Sequence, residues 1–477
     1  MADLAPVSRD FTVFRASSGK KESHQPRQVF RISLLIGPHR VSESLLYRQL
    51  TQHHRHSLDK WNRIAIRAAT EFDKTAHQMK PKQLEFLFLN VGHFFDHLII
   101  LIFSAVAALA LTREWGMGYA ELIPYATPGF VAFGVFAVPA GWLADKWSRK
   151  GMMLVFFLGM GGSAMLTALA ETPLQIGIGL FVIGIFGAIY HPVGLAMVVQ
   201  GRAKTGMPLA INGVFGNLGV GCAALVTGFL IDQAGWRSAF VWPGAVCVAI
   251  GLTYAVFLSV SRRLDDVAAY SGKPKFEQRL QVPRNVLVKI FAVIFFSTAV
   301  GGLVFQSTTF SLPKVFDERL GDLALTATSV GGFAFLVFAL ASVGQLIVGF
   351  LLDRVSLKMV FLAVAGIQAL FFVLMVGATG SAALAVGAVF MLAVFGQVPI
   401  NDVLLGRVTH SEWRSRVFGL RYIVTFSVSA SSVPLIAWIY GFWGFDMLFW
   451  VLTAAALAIL ISVAFLPSMV ARAETAS

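Results

Sequence analysis

Apolar residues after position 83 occur in long runs that short polar stretches separate. Each run is long enough to cross the roughly 30 Å hydrocarbon core of a bilayer as an α-helix, at about 1.5 Å per residue. The pattern therefore predicts an all-α membrane protein with twelve transmembrane spans. They lie at 84–111, 119–144, 151–170, 174–199, 208–231, 236–260, 286–310, 327–352, 358–378, 382–405, 417–439 and 445–467.

Composition excludes a chain of three water-soluble domains, which 477 residues would otherwise allow. The set AVILMFWYC makes up 57% of the chain, DEKR makes up 13%, and the mean hydropathy is +0.73. This leaves too little polar surface to cover soluble domains of that size. The excess of basic residues, +13 overall, is therefore interpreted as a signal of orientation in the lipid bilayer, with no role in binding nucleic acid.

The basic residues are distributed unequally between the two sides of the predicted membrane. Outside the first 83 residues, nineteen Lys and Arg lie on the side of the chain ends and four lie on the other side. Because cytoplasmic loops carry more Lys and Arg, we expect both termini to be cytoplasmic, in a cell (inner) membrane.

Residues 1–83 predict a separate basic extension, with fifteen Lys and Arg, seven Asp and Glu, and six of the ten histidines. We expect this extension to be cytoplasmic and poorly ordered, with no cleaved leader. The alternative is a basic helix at 42–78 that lies on anionic lipid. His53, His54 and His56 could bind a metal ion, but such tracts in tails are more often incidental.

The two halves of the hydrophobic region repeat one another. Gly141-Trp-Leu-Ala-Asp145-Lys146 returns 208 residues later as Gly349-Phe-Leu-Leu-Asp353-Arg354, and Phe186-Gly187 returns 209 residues later as Phe395-Gly396. This predicts two pseudo-symmetric six-helix bundles with a binding site between them at mid-depth. The bundles occupy 84–260 and 286–467, a basic linker occupies 261–285, and 468–477 form a cytoplasmic tail.

The segment Gly141-Trp-Leu-Ala-Asp145-Lys146-Trp-Ser-Arg149-Lys150 resembles the signature loop between spans 2 and 3 of major facilitator superfamily permeases. The resemblance implies a gate that closes the cytoplasmic face by contacts between the bundles. An acidic residue followed by basic residues at a helix end can also be an anchor at the membrane interface. The gating candidates are Gly141, Asp145, Lys146, Arg149 and Lys150, with Asp353 and Arg354 of the second copy and Asp402 at the end of span 10.

A narrower resemblance implies a direction of transport. Tyr190-His191-Pro192 in span 4, with Gly92-His93 and Asp96 in span 1, is similar to the fosmidomycin-resistance group of drug exporters, which implies efflux. Two features depart from proton antiporters. Span 4 lacks their arginine, and Asn217 stands in span 5 where their motif places proline.

Span 1 carries the strongest chemical signal, because Asn90, His93, Asp96 and His97 fall within a roughly 120° arc of one helix. Ionisable residues at membrane depth are costly, so they are functional candidates, although they can instead fix the packing of spans. We expect His93, Asp96 and His97 to exchange protons. The predicted cavity residues are Asn90, Tyr190, His191, Asn212, Asn217, Gln306, Gln397, Asn401 and Arg421.

These features together predict a secondary active transporter for a small organic solute, working by alternating access, coupled to protons and directed outward. Import of organic anions or metabolites, possible because Arg421 stands at the repeat position of Asn212, is the main alternative. Exchange of cargo without protons, and a transport-inactive receptor or scaffold, are others. We expect a monomer with no cofactor, no metal site and no enzymatic activity, because no enzyme motif is found.

Overall fold

The computed structural model describes residues 81–200, 202, 206–261, 284–352, 354–408 and 411–466. Several sequence predictions lie outside these ranges and concern the segment 42–78, the histidines at 53, 54 and 56, the linker residues 262–283, and Asp353.

Long α-helices account for nearly all of the described chain. The first four are α1 (Pro81–Val106, continued by Ala107–Leu111 and Thr112–Glu114), α2 (Thr127–Lys146, after Tyr119–Leu122 and Ile123–Ala126), α3 (Arg149–Thr167) and α4 (Pro173–Gly187, continued by Tyr190–Gly194 and Leu195–Val199). The next six are α5 (Gly206–Ala234), α6 (Trp236–Ser261), α7 (Arg284–Arg319), α8 (Ala327–Leu352), α9 (Leu357–Met375) and α10 (Gly380–Val408).

The last helical stretch, Ser411–Ala464, is two helices. Its backbone leaves the helical region at Gly444, where φ is 71°, a value that side chains with a Cβ rarely adopt. We call the part before Gly444 α11 and the part after it α12. Among the described residues, eleven helical stretches are long and apolar enough to cross a membrane, and the last of them contains this break. The predicted all-α fold of twelve spans is confirmed.

Helix α7 is longer than the sequence pattern predicts, because it continues past residue 310 to Arg319. The added turns contain Lys314, whose Nζ lies 2.7 Å from Asp317 and 3.5 Å from Glu318. Ion pairs at i,i+3 and i,i+4 stabilise a helix where it leaves the apolar region. The hydrophobic pattern therefore ends before the helix does.

The helices pack in two bundles, α1–α6 and α7–α12, and the bundles meet along α5 with α8 and along α2 with α11. We call the side that holds the α2–α3 turn, with Lys146 and Arg149, the basic side, and the side that holds Gly235 and Gly444 the opposite side. On the opposite side α5 and α8 approach so closely that a Cβ on Gly331 would lie 2.3 Å from the Ala224 carbonyl oxygen.

Further contacts join the bundles on the opposite side. The rings of Tyr119 and Tyr440 meet edge to face with centroids 5.4 Å apart, and Arg113 lies 3.7 Å from Asp317. Asp232 at the end of α5 accepts a hydrogen bond of 2.7 Å from the backbone N–H of Thr328 in α8. The opposite side is therefore closed in this conformation.

Candidate functional site

Seven polar side chains from three helices meet inside the first bundle. α1 contributes Asn90, His93, Asp96 and His97, which share one face because their spacing follows the helical repeat. The continuation of α4 contributes Tyr190 and His191, and α5 contributes Asn212. We call this set the polar cluster. The sequence predicted each member as a candidate, and the structure brings all seven together.

A chain of hydrogen bonds connects three helices at one end of the polar cluster. The Asn212 side chain donates to Asn90 Oδ1 at 3.0 Å and to the Tyr190 hydroxyl at 2.9 Å. That hydroxyl donates to the Leu89 carbonyl oxygen at 2.7 Å. All three side chains are buried. This end of the cluster holds α1, α4 and α5 in register, because a buried polar group left without a partner is costly.

A proline determines how α4 presents its two side chains. Pro192 has no backbone N–H and cannot continue regular α-helical bonding. The chain accordingly widens into a π-helical turn over Tyr190–Gly194. Single π-turns inside α-helices are frequent at functional sites. Here the turn lets consecutive residues, Tyr190 and His191, both reach α1.

The other end of the polar cluster holds three imidazoles. His93 Nδ1 lies 2.8 Å from the Asn212 carbonyl oxygen, which can only accept, so Nδ1 carries the hydrogen and Nε2 carries a lone pair. His97 Nε2 lies 3.2 Å from that His93 Nε2. Ring nitrogens of His93, His97 and His191 all lie within 4.8 Å of one another.

Asp96 is the most enclosed ionisable group of the cluster, with no exposed surface. Neither of its carboxylate oxygens has a hydrogen bond within normal geometry, and His191 Nε2 lies 3.4 Å from Oδ2. The polar contact of Asp96 is thus with His191 of α4, whereas the sequence grouped this carboxylate with the histidines of α1. A buried carboxylate is tolerated only with a counter-charge or a proton, and the His191 ring is the group placed to provide one.

The polar cluster borders the second bundle. The His191 ring contacts Phe426 of α11 with centroids 5.9 Å apart, and Phe133 of α2 contacts the Phe426 ring with centroids 5.1 Å apart. Next to it, Asn217 of α5 donates a hydrogen bond to Gln345 of α8. A movement of one bundle against the other would therefore change the surroundings of His191 directly.

Three of the four predicted cavity residues of the second bundle have polar partners within that bundle, whereas Gln306 Nε2 is buried without a hydrogen bond to any described residue. Gln397 accepts a hydrogen bond of 2.8 Å from Gln368, and Asn401 accepts one of 3.0 Å from Ser297. Gln306 is buried as well. Arg421, at the start of α11, is ion-paired with Asp402 of α10. The hydrogen bonds of Gln397 and Asn401 and the ion pair of Arg421 therefore lie inside the second bundle.

The gating candidates contact residues of their own bundle on the basic side. Arg149 bonds Asp145 at 2.8 Å and Gln200 at 3.5 Å. Lys150 lies 3.6 Å from Glu85. Lys146 is exposed, Gly141 packs beside Pro192, and Arg354 lies over the Phe350 ring at 3.4 Å. The gate between the bundles that the resemblance implies for this loop stays a prediction.

Sequence reasoning missed three polar residues that the structure connects to the candidates. They are Gln345, Gln368 and Ser297. The signal was available for Gln345 and Gln368, because each is an amide inside a predicted apolar span. Their partners could not be found from the sequence, because no spacing rule pairs α5 with α8 or α9 with α10.

The family model described as Major Facilitator Superfamily matches residues 89–341. The chain belongs to this superfamily. It is a multi-pass membrane protein of a transporter family and not an enzyme. The solved structure of a D-xylose-proton symporter superposes on the chain with a TM-score of 0.60 at 14% sequence identity. The superposition covers 80% of this chain and 97% of the symporter chain. That likeness is one of fold.

Curated relatives of this superfamily member include transporters with named cargo. The probable sulfoacetate transporter SauU of Cupriavidus necator is 28% identical over 271 residues, which are 53% of this chain and 60% of that protein. The 4-hydroxybenzoate transporter PcaK of Pseudomonas putida is 26% identical, over 40% of this chain and 47% of that protein. A multidrug resistance protein B homolog of Mycobacterium tuberculosis is 27% identical, over 36% and 32%. The chain thus matches less than two thirds of each.

Proposed function

We propose that the protein is a secondary active transporter that moves small organic anions by alternating access, driven by protons. The observation that carries this proposal is the fully buried Asp96 against His191, at the border between the bundles. A carboxylate in that position can hold a proton in one conformation and release it in the other. His93 and His97 of α1, whose Nε2 atoms lie 3.2 Å apart, belong to the same proton-binding group.

The names of relatives support an organic anion as cargo. Sulfoacetate, 4-hydroxybenzoate and gallate are the cargo of three of them, and each compound carries an acidic group. Arg421 stands at the repeat position of Asn212 and offers a fixed cation on α11. An anion would then compete with Asp402 for this guanidinium. Arginine suits the role because its planar donors match carboxylate and sulfonate groups.

The mechanism follows from these two charged groups. Cargo enters the space between the bundles from the opposite side, Asp96 takes a proton from that same side, and the bundles rock so that the basic side opens. Each elementary charge that crosses 100 mV is worth about 2.3 kcal/mol, so a proton gradient can drive accumulation of cargo. Once cargo and proton have left on the basic side, the empty transporter returns to its first conformation.

Drug efflux is the second candidate. It is supported by the relative from Mycobacterium tuberculosis and by the resemblance of the His93, Asp96 and His191 segments to the fosmidomycin-resistance group. The two candidates differ in direction. The test is whole-cell accumulation of a labelled compound, measured with and without an uncoupler. If the protein is an importer, cells with an intact proton gradient accumulate more of the compound than uncoupled cells. If it is an exporter, they accumulate less.

The direct test uses proteoliposomes with labelled 4-hydroxybenzoate and sulfoacetate. With the unaltered protein, an imposed pH gradient should concentrate one of these compounds. Asp96→Asn should abolish accumulation against the gradient while exchange of labelled for unlabelled cargo continues, because exchange needs no net proton movement. Asp322→Asn, which changes an exposed carboxylate on the opposite side, is the matched control. Undiminished gradient-driven accumulation by Asp96→Asn would remove the assignment.

Topology forms the last part of the proposal. We place the protein as a monomer in the inner membrane, with residues 1–83, the linker 261–285 and the tail 468–477 in the cytoplasm, because their side carries the excess of Lys and Arg. A reporter fused within the linker should be active only in its cytoplasmic form. Activity of a periplasmic reporter at that point would contradict this orientation.

A further inference from the structure

Three histidines of the polar cluster lie close enough together to bind one metal ion. Their ring nitrogens lie within 4.8 Å of one another, and no other side chain separates His93 Nε2 from His97 Nε2 at 3.2 Å. Two of the three come from one helix at i and i+4, a spacing that points both imidazoles in one direction. The third, His191, comes from the π-helical turn of α4.

The distance between His93 and His97 suits a tetrahedral metal ion. Zinc binds imidazole nitrogen at about 2.0–2.1 Å, which places two tetrahedral ligands about 3.4 Å apart. The observed 3.2 Å is close to this value. The candidate ligand atoms of the three rings lie within 4.8 Å of one another, so His191 binds the same ion only after its ring moves closer, which its broad χ2 torsion allows. Three imidazoles then leave a fourth position open.

The polar cluster also prepares His93 as a ligand. Its Nδ1 donates to the Asn212 carbonyl oxygen, so the lone pair is on Nε2, which faces His97. Metal-binding histidines commonly donate their other ring N–H to a carbonyl or carboxylate, which fixes the tautomer and the ring orientation. The carboxylate of Asp96 supplies the negative charge next to His191 that a buried dication requires.

We propose that His93, His97 and His191 bind a divalent first-row transition metal ion of the Zn²⁺ type, with Asp96 as the charged partner. Imidazole nitrogens favour Zn²⁺, Co²⁺ and Ni²⁺ over the hard cations Mg²⁺ and Ca²⁺. Metal binding can be tested separately from the proposed transport function, because it is measured at equilibrium without cargo and without a proton gradient.

The experiment uses Co²⁺ as the probe, because tetrahedral Co²⁺ absorbs visible light far more strongly than hydrated Co²⁺. The full-length protein is purified without a polyhistidine tag. To exclude other histidines, the background chain carries Gln at the remaining seven, which are His24, His39, His53, His54, His56, His77 and His410. We expect one equivalent of Co²⁺ to bind with a tetrahedral spectrum, Zn²⁺ to displace it, and Mg²⁺ to leave it unchanged.

Single substitutions in this background test the ligands. His97→Gln and His191→Gln should each weaken Co²⁺ binding at least about tenfold and change the spectrum. Circular dichroism and the unfolding temperature show whether each variant is folded. X-ray absorption at the Zn K edge of the loaded background chain needs no change in the cluster and should show three imidazole ligands. Absence of a tetrahedral Co²⁺ spectrum, or its retention in folded His97→Gln, would overturn the proposal.

Discussion

Asp232 holds the opposite side closed by capping a helix of the other bundle. Its Oδ2 accepts hydrogen bonds from the Thr328 backbone N–H at 2.7 Å and from the Thr328 hydroxyl at 2.5 Å. Helix α8 has its own local cap, since Thr326 Oγ1 accepts from the Ser329 N–H at 3.1 Å. The N–H of Thr328 lacks that cap, and Asp232 provides its acceptor across the interface.

The magnitude of this contact follows from helix capping. Loss of a capping acceptor costs about 1 kcal/mol, and loss of a negative charge near a helix N-terminus costs about 0.3–1 kcal/mol more. Asp232 is exposed, so water replaces part of both contributions. A net loss of about 1 kcal/mol remains, which is about fivefold in an equilibrium constant. It acts only on the conformation in which α5 and α8 meet, so Asp232→Ala should shift the population towards opening.

Spin labels can measure that shift. Leu174→Cys and Ser381→Cys place labels at exposed positions of the two bundles on the opposite side. In a chain without Cys222 and Cys247, double electron–electron resonance gives the distance distribution between them. Asp232→Ala should raise the ratio of the longer to the shorter distance about fivefold.

A matched control separates this contact from a general effect of charge. Asp322→Ala removes another exposed carboxylate on the same side and should leave the distance distribution unchanged. An unchanged distribution in Asp232→Ala, or an equal shift in Asp322→Ala, would refute the reasoning.

Two further predictions concern packing. Gly331→Leu should widen the same label distance, because even a Cβ there would lie 2.3 Å from the Ala224 carbonyl oxygen. Gly332→Leu is the control and should leave the distance unchanged, because a Cβ there meets nothing within 4 Å. Equal label distances in the two variants would contradict the close packing of α5 and α8. Tyr190→Phe removes a hydroxyl that donates to Leu89 and accepts from Asn212, so the free energy of unfolding in detergent should fall by about 1–3 kcal/mol, while Tyr125→Phe should change little. A Tyr190→Phe chain as stable as the parent would show that the network does not hold the helices.

Some of the candidate site could be predicted because it depends on one helix at a time. The spacing of Asn90, His93, Asp96 and His97 places them on one face of α1, and the structure has them there. Pro192 has no backbone N–H, and the chain forms a π-helical turn around it. The twelve spans and the repeat of two bundles were also local or periodic properties of the sequence.

Partners between helices could not be predicted in the same way. The sequence grouped Asp96 with the histidines of α1, whereas its ion pair is with His191 of α4. It assigned Gln397 and Asn401 to the cavity, whereas their hydrogen bonds lie inside the second bundle with Gln368 and Ser297. These partners depend on the rotation of each helix about its own axis. The hydrophobic pattern does not determine that rotation, because most faces of these helices are apolar.

The amino-acid sequence alone determined that this protein crosses the membrane twelve times in two related halves, because the cost of exposing polar backbone to lipid requires long apolar helices. It also determined which residues are polar at membrane depth. Only the tertiary structure decided that His93, His97 and His191 converge, and that Asp232 caps a helix of the other bundle. Such contacts depend on side chains far apart in the chain, and close packing of whole helices sets their positions.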